Sequence, residues 1–259
     1  MSSDIRVVWA MPNYGPIFEP VYSSHLQCIA YTSRYCSVEH IGKVVGCGAT
    51  DRLYTHTAEN IMVREFLNMD ATHLFMTESD MILPKDTLTK LLAWDKDGAT
   101  GVYFLRKGEG TPCLFVKAKI VNALNPYAHT QVTIFPTDRI FRIDCPGLGC
   151  ALFKRHVFEK VKHPWFDLKE MDDEGRGWGS DMFFYTHFRE AGLEMWADPS
   201  VMCGQIEYTT WSYKDYSRRL STDPTYGSRG VLLGWNSDRT PENIPPHDPK
   251  QKPIEREEH

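Results

Sequence analysis

The sequence predicts an α/β fold with a Rossmann-like, mostly parallel central sheet flanked by helices. Two observations support this prediction. The first ~100 of the 259 residues contain three alternations of a strand pattern with a helix pattern. The predicted strands are short apolar runs that end at proline, glycine or acidic residues, as strands inside such a sheet do. A chain of this length can form one large α/β domain with a sizeable core.

The predicted elements follow one another closely. In chain order they are a strand at 5–11, a helix at 20–34, a strand at 38–45, a helix at 57–69 capped by Thr55 or Thr57, a strand at 72–77, a helix at 85–94 and a strand at 98–104. Further on, strands at 114–121 and 131–135 predict a hairpin. A glycine-punctuated strand at 145–153 leads into a helix at 154–161.

Composition excludes several classes of protein. A net charge of -5 and a pI near 6.1 argue against a protein that binds polyanions through bulk charge. No signal peptide and no apolar segment of the ~20 residues needed to cross a bilayer is evident. The seven cysteines are scattered and contain no C-x-x-C pair, so we expect reduced thiols in a cytoplasmic protein, or in the host cytoplasm if the protein is viral. Residues 237–259 contain five prolines and predict an extended or disordered tail.

The acidic triplet Glu78-Ser79-Asp80 directly follows a predicted central strand. Ligands of open α/β sheets bind outside the carboxyl ends of the strands. Paired carboxylates there can hold a divalent cation that bridges phosphate oxygens. The alternative is a solvated turn in which Asp80 caps the next helix.

A second acidic position is Asp181, within the run Gly177–Phe184. Its flanking glycines and the amphipathic stretch after it predict that Asp181 lies at a helix start. A carboxylate facing a cleft there could act as a general base. The alternative is again a helix cap, satisfied by backbone amides.

Four segments, in order, resemble GT-A glycosyltransferases, especially glycosyltransferase family 2 and its viral and phage relatives. They are ATHLFMTESDMILPKDTLTKLL (71–92), GVYFLRKGEGTPCLFV (101–116), CPGLGCALFKRHVFEKVKHPWF (145–166) and GWGSDMFFYTHFREAGLEMWADPSVMCGQI (177–206). The resemblance covers residues 5–206. It implies a GT-A domain at 1–220, with a nucleotide-sugar-binding half at 1–105, an acceptor-side half with a smaller sheet at 106–220, and a tail at 221–259.

The resemblance also implies roles for individual residues. Donor contacts are expected from Met11, Pro12, Arg52, Asn60, Glu78, Ser79 and Asp80, with Asp80, Glu78 and Gln205 as candidates for a Mn²⁺ or Mg²⁺ site. Asp181 is expected to be the general base of an inverting transfer, with a UDP-sugar as the expected donor. Acceptor-side residues are Arg106, Gly147, Trp178 and Gly179, although Arg106 can equally be a solvated cation and Trp178 a packing residue.

The chain departs from the family pattern at three positions. Glu78 replaces the usual first Asp of the triplet, and Ser180 replaces the acid that usually precedes Asp181. Gln205 stands where related enzymes often have a metal-binding histidine. An amide oxygen can ligate Mg²⁺ or Mn²⁺, but it is a weaker ligand than imidazole for Mn²⁺.

Two other functions remain open from the sequence. One is a catalytically inactive nucleotide- or sugar-binding module on the same fold, suggested by Ser180 and Gln205. The other is a nucleotidyltransferase, which we rank last because the loop Pro12–Gly15 lacks the basic residue of a phosphate loop. The acceptor (a glycan, a protein, a lipid-linked sugar or a modified base) and the oligomeric state are not indicated by the sequence.

Overall fold

The computed structural model describes residues 4–13, 15–44, 53–105, 111–117, 129–168 and 178–206, which belong to one unit, Met1–Glu207. The predicted domain end at residue 220 and the predicted tail lie outside these residues. No helix in the described part of the chain combines the length and the apolar character that a membrane span requires. Six cysteines lie in this part, and all are buried free thiols, as the sequence predicts.

The described residues form twelve strands and five helices. The strands are β1 (Arg6–Asn13), β2 (Ser37–Val44), β3 (His73–Thr77), β4 (Met81–Ile82), β5 (Gly98–Val102), β6 (Leu114–Lys117), β7 (His129–Gln131), β8 (Phe141–Ile143), β9 (Cys145–Pro146), β10 (Cys150–Lys154), β11 (Met195–Met202) and β12 (Gly204–Gln205). The helices are α1 (Glu19–Thr32), α2 (Thr55–Asn68), α3 (Thr87–Ala93), α4 (Arg155–Lys160) and α5 (Ser180–Glu190).

Seven strands form the central sheet, in the order β2-β1-β3-β10-β5-β11-β8. Strands β1, β2, β3, β5 and β11 run in one direction, whereas β8 and β10 run against them. The predicted α/β class with a mostly parallel sheet is therefore confirmed. The smaller sheets are β7-β6-β9 and β12-β4.

Helices cover both faces of the central sheet because successive side chains of a strand point to opposite faces. In β1, Val8 and Ala10 pack with α2, α4 and α5, whereas Val7, Trp9 and Met11 pack on the face covered by α1 and α3. Burial of both faces explains why β1 is a continuous apolar run.

Several predicted boundaries were wrong. Strand β1 continues through Pro12 to Asn13. Beyond Ala10 it pairs only with β2 and no longer with β3, so Pro12 lies where β1 has a free edge, and proline is tolerated at such an edge. The residue that caps α2 is Tyr54, not a threonine. Asp86, not Asp80, precedes α3.

Strands β6 and β7 pair antiparallel, as the predicted hairpin requires, but β7 spans His129–Gln131 and shares only Gln131 with the predicted strand at 131–135. The predicted strand 145–153 is instead two strands in different sheets, β9 and β10. The chain between them packs closely on Tyr103, and a Cβ at Gly147 would overlap the Tyr103 hydroxyl. Because the backbone at Gly147 lies so close to Tyr103, only glycine fits at this position, and the regular strand is interrupted there.

Candidate functional site

The carboxyl edge of the central sheet gathers the acidic residues that the sequence singled out. The parallel strands β1 and β3 both end at this edge. Strand β1 ends at Asn13, and β3 ends at Thr77, directly before Glu78. Helices α2 and α5 begin at the same edge, because each connects to a strand that starts at the opposite one. This is where open α/β sheets bind their ligands.

Glu59, in the second turn of α2, is the centre of this group and was missed by the sequence analysis. Its side chain is 4% exposed, and the Ser180 hydroxyl donates a hydrogen bond to it. Burial first of all, and then the neighbouring charges of Asp181 and Glu78, raise the pKa of the Glu59 carboxyl to about 8, although the Ser180 hydrogen bond lowers it. Three carboxyl groups therefore share one region of the site.

A signal for Glu59 was present in the sequence. Glu59 precedes Met62, Val63 and Phe66 by three, four and seven residues, which places it on the apolar face of the helix. All three of those residues are buried. A glutamate in the apolar stripe of a helix marks a buried acid, and buried acids are rare unless they are paired or functional.

Asp181 lies in the first turn of α5, as the sequence predicts. Its Oδ1 accepts a hydrogen bond of 2.8 Å from the backbone N–H of Met182. Burial raises the pKa of the Asp181 carboxyl, while that backbone N–H lowers it. A Cβ on Gly179 would lie 2.7 Å from Oδ1, so glycine at 179 leaves room for the carboxylate. Gly179 thus contacts the predicted base, whatever its role toward an acceptor.

Asp80 has a different neighbour. Strands β4 and β12 pair so that Gln205 Nε2 donates to Asp80 Oδ2 at 3.4 Å. The backbone N–H of Ile206 donates to the Asp80 carbonyl at 2.8 Å. The structure therefore brings together two of the three predicted metal ligands, although in this arrangement the Gln205 side chain presents its nitrogen to Asp80.

Helix α1 anchors the segment that follows Asp80. His25 Nε2 lies 2.8 Å from the carbonyl oxygen of Met81, and the Ser24 hydroxyl accepts the Leu83 backbone N–H at 3.2 Å. Burial lowers the pKa of His25 to about 4, so a neutral imidazole is anchored beside the strand that follows Asp80.

Glu78 faces a small cavity. The cavity has a volume of about 30 Å³ and is lined by Pro12, Thr55, Glu59, Met76, Thr77, Glu78 and Leu148. Glu78 and Asp80 thus have separate surroundings, one with Glu59 and the other with Gln205. No group of three or more His, Cys, Asp or Glu side chains suited to a metal ion occurs among the described residues.

A divalent cation fits this edge only if a bound substrate supplies further oxygen ligands. Asp80 and Gln205 are oxygen-bearing side chains, the kind that Mg²⁺ uses. Mg²⁺ commonly retains several waters and takes one or two carboxylates together with substrate phosphates. Two protein ligands are therefore compatible with a cation that arrives with a diphosphate.

The end of β3 is fixed to the chain that precedes β10. The Thr77 hydroxyl donates to the Gly149 carbonyl at 2.8 Å, and the Gly149 N–H donates to the Tyr103 hydroxyl at 3.3 Å. Burial raises the pKa of the neighbouring Cys113 thiol to about 11. Gly147 is buried here against Tyr103 and Cys113, so its role is packing and the predicted acceptor contact is not supported.

The Asn60 side-chain amide, which the sequence predicted as a nucleotide contact, is fully hydrogen-bonded inside the protein. Its Nδ2 donates to the carbonyls of His56 at 2.7 Å and Phe166 at 2.6 Å. Its Oδ1 accepts the N–H groups of Trp165 at 3.0 Å and Phe166 at 3.3 Å. A primary amide has two donor hydrogens and two acceptor lone pairs, so none is left for a ligand.

The remaining predicted residues are placed as follows. Met11, predicted as a donor contact, is buried in the core, whereas Pro12 lines the cavity beside Glu78. Ser79 lies in a partly exposed turn, and Trp178 is partly buried just before α5. Arg52 and Arg106 lie outside the described residues.

Comparison with known proteins identifies the fold. No protein-family model and no curated protein matches the sequence. Among solved structures, A197 from STIV matches with a TM-score of 0.53 at 18% identity, over 79% of this chain and 87% of that one. GalNAc-T7 with UDP, GalNAc and Mn²⁺ matches with a TM-score of 0.53 at 10% identity, over 84% of this chain. A mutant of Drosophila β1,4-galactosyltransferase 7 with manganese, UDP-Gal and xylobiose scores 0.40 at 12% identity, over 83% of this chain and 80% of that one.

The chain spans about half, 48%, of the GalNAc-T7 chain that it matches. At these identities the likeness shows the fold alone. The α/β architecture with its seven-stranded, mostly parallel sheet is that of the GT-A glycosyltransferases, as the sequence predicts.

Proposed function

We propose that this protein is a glycosyltransferase that moves a sugar from a nucleotide-sugar donor to an acceptor hydroxyl, with Asp181 as the general base of an inverting transfer. The observation that carries the proposal is the position of Asp181. Its carboxylate lies in the first turn of α5 at the ligand-binding edge of a GT-A sheet, where its charge acts on Glu59.

The chemistry suits a carboxylate in this environment. In an inverting displacement the acceptor oxygen forms a bond to the anomeric carbon, the bond to the diphosphate breaks, and the acceptor proton passes to the base. A base is most effective when its pKa lies near the working pH. Burial moves the pKa of Asp181 upward in that direction.

The donor is proposed to be a UDP-sugar, because a structural neighbour was solved with UDP and Mn²⁺. Pro12 and Glu78 line the edge where its nucleotide would bind. A Mn²⁺ or Mg²⁺ ion would be held by Asp80 and Gln205 together with the diphosphate. When bound, such an ion neutralises the charge that develops on the departing diphosphate.

The first test is a thermal-unfolding panel of UDP-, GDP-, CMP- and dTDP-sugars, each with and without Mn²⁺ or Mg²⁺. A ligand present at ~100 times its dissociation constant stabilises the native state by ~2.7 kcal/mol, which is easily measured. Slow transfer to water, followed as release of the nucleotide diphosphate, reports turnover without a known acceptor. We expect a metal-dependent shift and diphosphate release with one nucleotide class only.

Two variants and one control sharpen this test. Asp80→Ala and Asp181→Ala should each reduce diphosphate release, whereas Asp138→Ala, which changes a carboxylate with a 72% exposed side chain, should not. Full turnover in both Asp80→Ala and Asp181→Ala contradicts the proposal.

A second candidate is a nucleotide-sugar-binding module that transfers nothing. The pairing of the Gln205 amide nitrogen with Asp80, in a position where relatives often bear histidine, favours it. Stabilisation by a nucleotide-sugar, without diphosphate release and without transfer to any acceptor tested, would support this alternative.

A further inference from the structure

Glu59 is a buried acid for which the proposed transfer reaction gives no direct role. Its carboxyl lies between α2, the end of β3 and the start of α5. The Ser180 hydroxyl donates a hydrogen bond to it, but Glu59 Oε2 has no hydrogen-bond partner among the described residues. A buried polar atom without a partner costs free energy, so its position needs an explanation.

Among the described residues, the other groups around Glu59 are acidic or uncharged. Pro12, Thr55, Thr77 and Glu78 line the cavity beside it, and the charges that act on it are those of Asp181 on α5 and Glu78 after β3. Neither of these charges attracts an ionised Glu59. The neutral carboxylic acid is therefore the form that this environment favours.

The hydrogen bond connects Glu59 to the predicted base over a short path. Ser180 is the first residue of α5, and Asp181 is the next. The same helical turn supplies the Met182 N–H that holds Asp181 Oδ1 at 2.8 Å. Because Gly179 has no side chain, it leaves space beside the carboxylate, and the Ser180 hydrogen bond restrains the same first turn of α5.

We propose that Glu59 is a positioning residue of the transfer site, which fixes the first turn of α5 through Ser180 and thereby holds the Asp181 carboxylate against the acceptor hydroxyl. This inference rests on the function proposed above. Precise placement matters because a displacement of about 1 Å in a reacting group can lower a rate ~100-fold.

Steady-state kinetics of diphosphate release or transfer test the proposal. Glu59→Leu removes the hydrogen bond and the carboxyl, Ser180→Ala removes the hydroxyl alone, and Glu59→Gln keeps an acceptor of the same shape without a charge. Glu190→Leu, at the exposed far end of α5, is the matched control. We expect ~10- to 100-fold lower kcat in Glu59→Leu and Ser180→Ala, with the donor KM changed less than ~2-fold.

Glu59→Gln should recover kcat to within ~3-fold of the wild type, because its amide oxygen accepts the Ser180 hydroxyl as the acid does. The proposal is overturned if Ser180→Ala and Glu59→Leu lose no more kcat than Glu190→Leu. It is also overturned if their loss is entirely in the donor KM. Should Glu59→Leu fail to fold, Ser180→Ala decides the outcome, because it deletes only one oxygen atom.

Amide hydrogen exchange separates this inference from the proposed function. The N–H groups at residues 181–184 should exchange faster in Ser180→Ala and Glu59→Leu than in the wild type, with α1 unchanged. Equal exchange rates in all proteins overturn the positioning role. If the wild type transfers no sugar from any donor but exchange responds as expected, the proposed function fails while the structural link from Glu59 to Asp181 stands.

Discussion

The amino edge and the carboxyl edge of the central sheet differ in how their charged side chains are arranged. The amino edge pairs opposite charges: Arg6 with Asp70 at 2.9 Å, Lys154 with Asp95 at 2.6 Å, and His156 with Asp97 at 2.9 Å when the imidazole is protonated. A depression of about 610 Å³ lies at this edge, but its cationic side chains are occupied by these partners and by backbone carbonyls.

The carboxyl edge instead gathers groups of the same sign. The charges of Glu78 and Asp181 both act on Glu59, and the pKa values of Glu59 and Asp181 are both raised, first of all by burial. Such an arrangement costs stability, whereas opposite pairs at the surface cost little and contribute little. The amino edge thus neutralises its charges in pairs, whereas the carboxyl edge buries carboxyl groups with raised pKa values, as the function proposed for it requires.

The largest expected effect is that of Asp181→Asn. Loss of a general base typically lowers kcat ~10²- to 10⁴-fold, whereas stability should be unchanged or slightly higher because a disfavoured charge is removed. Diphosphate release and urea unfolding measure the two quantities. Asp138→Asn, at an exposed surface position, is the matched control. An Asp181→Asn protein with wild-type turnover would show that Asp181 is not the general base.

The second effect is the pH dependence that Glu59 gives to stability. Its pKa is about 8 in the folded protein and near its ordinary value of 4.5 when unfolded. As the pH rises from 4.5 to 8, the unfolded chain releases a proton that the folded protein keeps, so this contribution to stability falls across the window. Since one pKa unit corresponds to ~1.4 kcal/mol, the fall is on the order of a few kcal/mol.

Glu59→Gln should remove most of that slope, because an amide does not titrate. Urea unfolding of both proteins between pH 5 and pH 8 measures it, with Glu190→Gln as the control for loss of one exposed acid. Identical slopes for the wild type and Glu59→Gln would mean that Glu59 is ionised in the folded protein. The contrast between the two edges would then lose its main support.

The contrast also shows what the sequence can and cannot predict. Continuous apolar runs such as the one in β1 predict the sheet, because strands buried on both faces need them. Glu78 and Asp181 were identified from local signals, a strand end and a helix start. Each of these positions can be recognised from a few neighbouring residues.

The hydrogen-bond partners that the sequence did not indicate are distant along the chain. Asn60 was assigned to the nucleotide, but its amide binds the backbone at Trp165 and Phe166, about a hundred residues further on. The helical pattern around Glu59 marks it as buried, but it does not indicate its partner, Ser180, which lies on another helix. A sequence pattern shows that a side chain is buried, but the partner that satisfies it depends on which elements meet in the fold.

The third prediction concerns Arg155 at the amino edge. Its guanidinium donates to the carbonyls of Phe66, Leu67, Met69 and Ala71 around the end of α2, at 2.6 to 3.4 Å. Arg155→Met keeps most of the stem but leaves these carbonyls without their donor. Hydrogen bonds to charged groups contribute ~1.5–3 kcal/mol, so we expect a loss of ~2 kcal/mol in urea unfolding.

Transfer activity at low urea should not change in Arg155→Met, because the residue lies at the opposite edge from the site. Arg139→Met is the control: Arg139 is 71% exposed and pairs only weakly with its sequence neighbour, so its loss should cost less than ~0.5 kcal/mol. A fall in kcat without a loss of stability would show that the two edges are coupled rather than specialised.

The smallest expected effect is at Asp95, whose side chain is 85% exposed and pairs with Lys154. The hydrogen bond and charge of Lys154 lower the pKa of Asp95, so the pair stabilises the protein above the ordinary pKa of 3.8 and is lost as the pH falls through the lowered value. Exposed pairs contribute ~0–1 kcal/mol. Lys154 Nζ also donates to the Asp95 carbonyl at 2.9 Å, and that bond survives any side-chain change.

Asp95→Asn and Asp95→Ala separate charge from backbone conformation. Asp95 has φ of 50°, a conformation that asparagine tolerates and alanine resists by about 1–2 kcal/mol. At pH 7 we therefore expect Asp95→Asn to lose less than ~1 kcal/mol in urea unfolding and Asp95→Ala to lose more. Equal losses well above ~1 kcal/mol would mean that the charge dominates even at this exposed position. The paired charges of the amino edge would then be a major source of stability, offsetting the carboxylates gathered at the other edge.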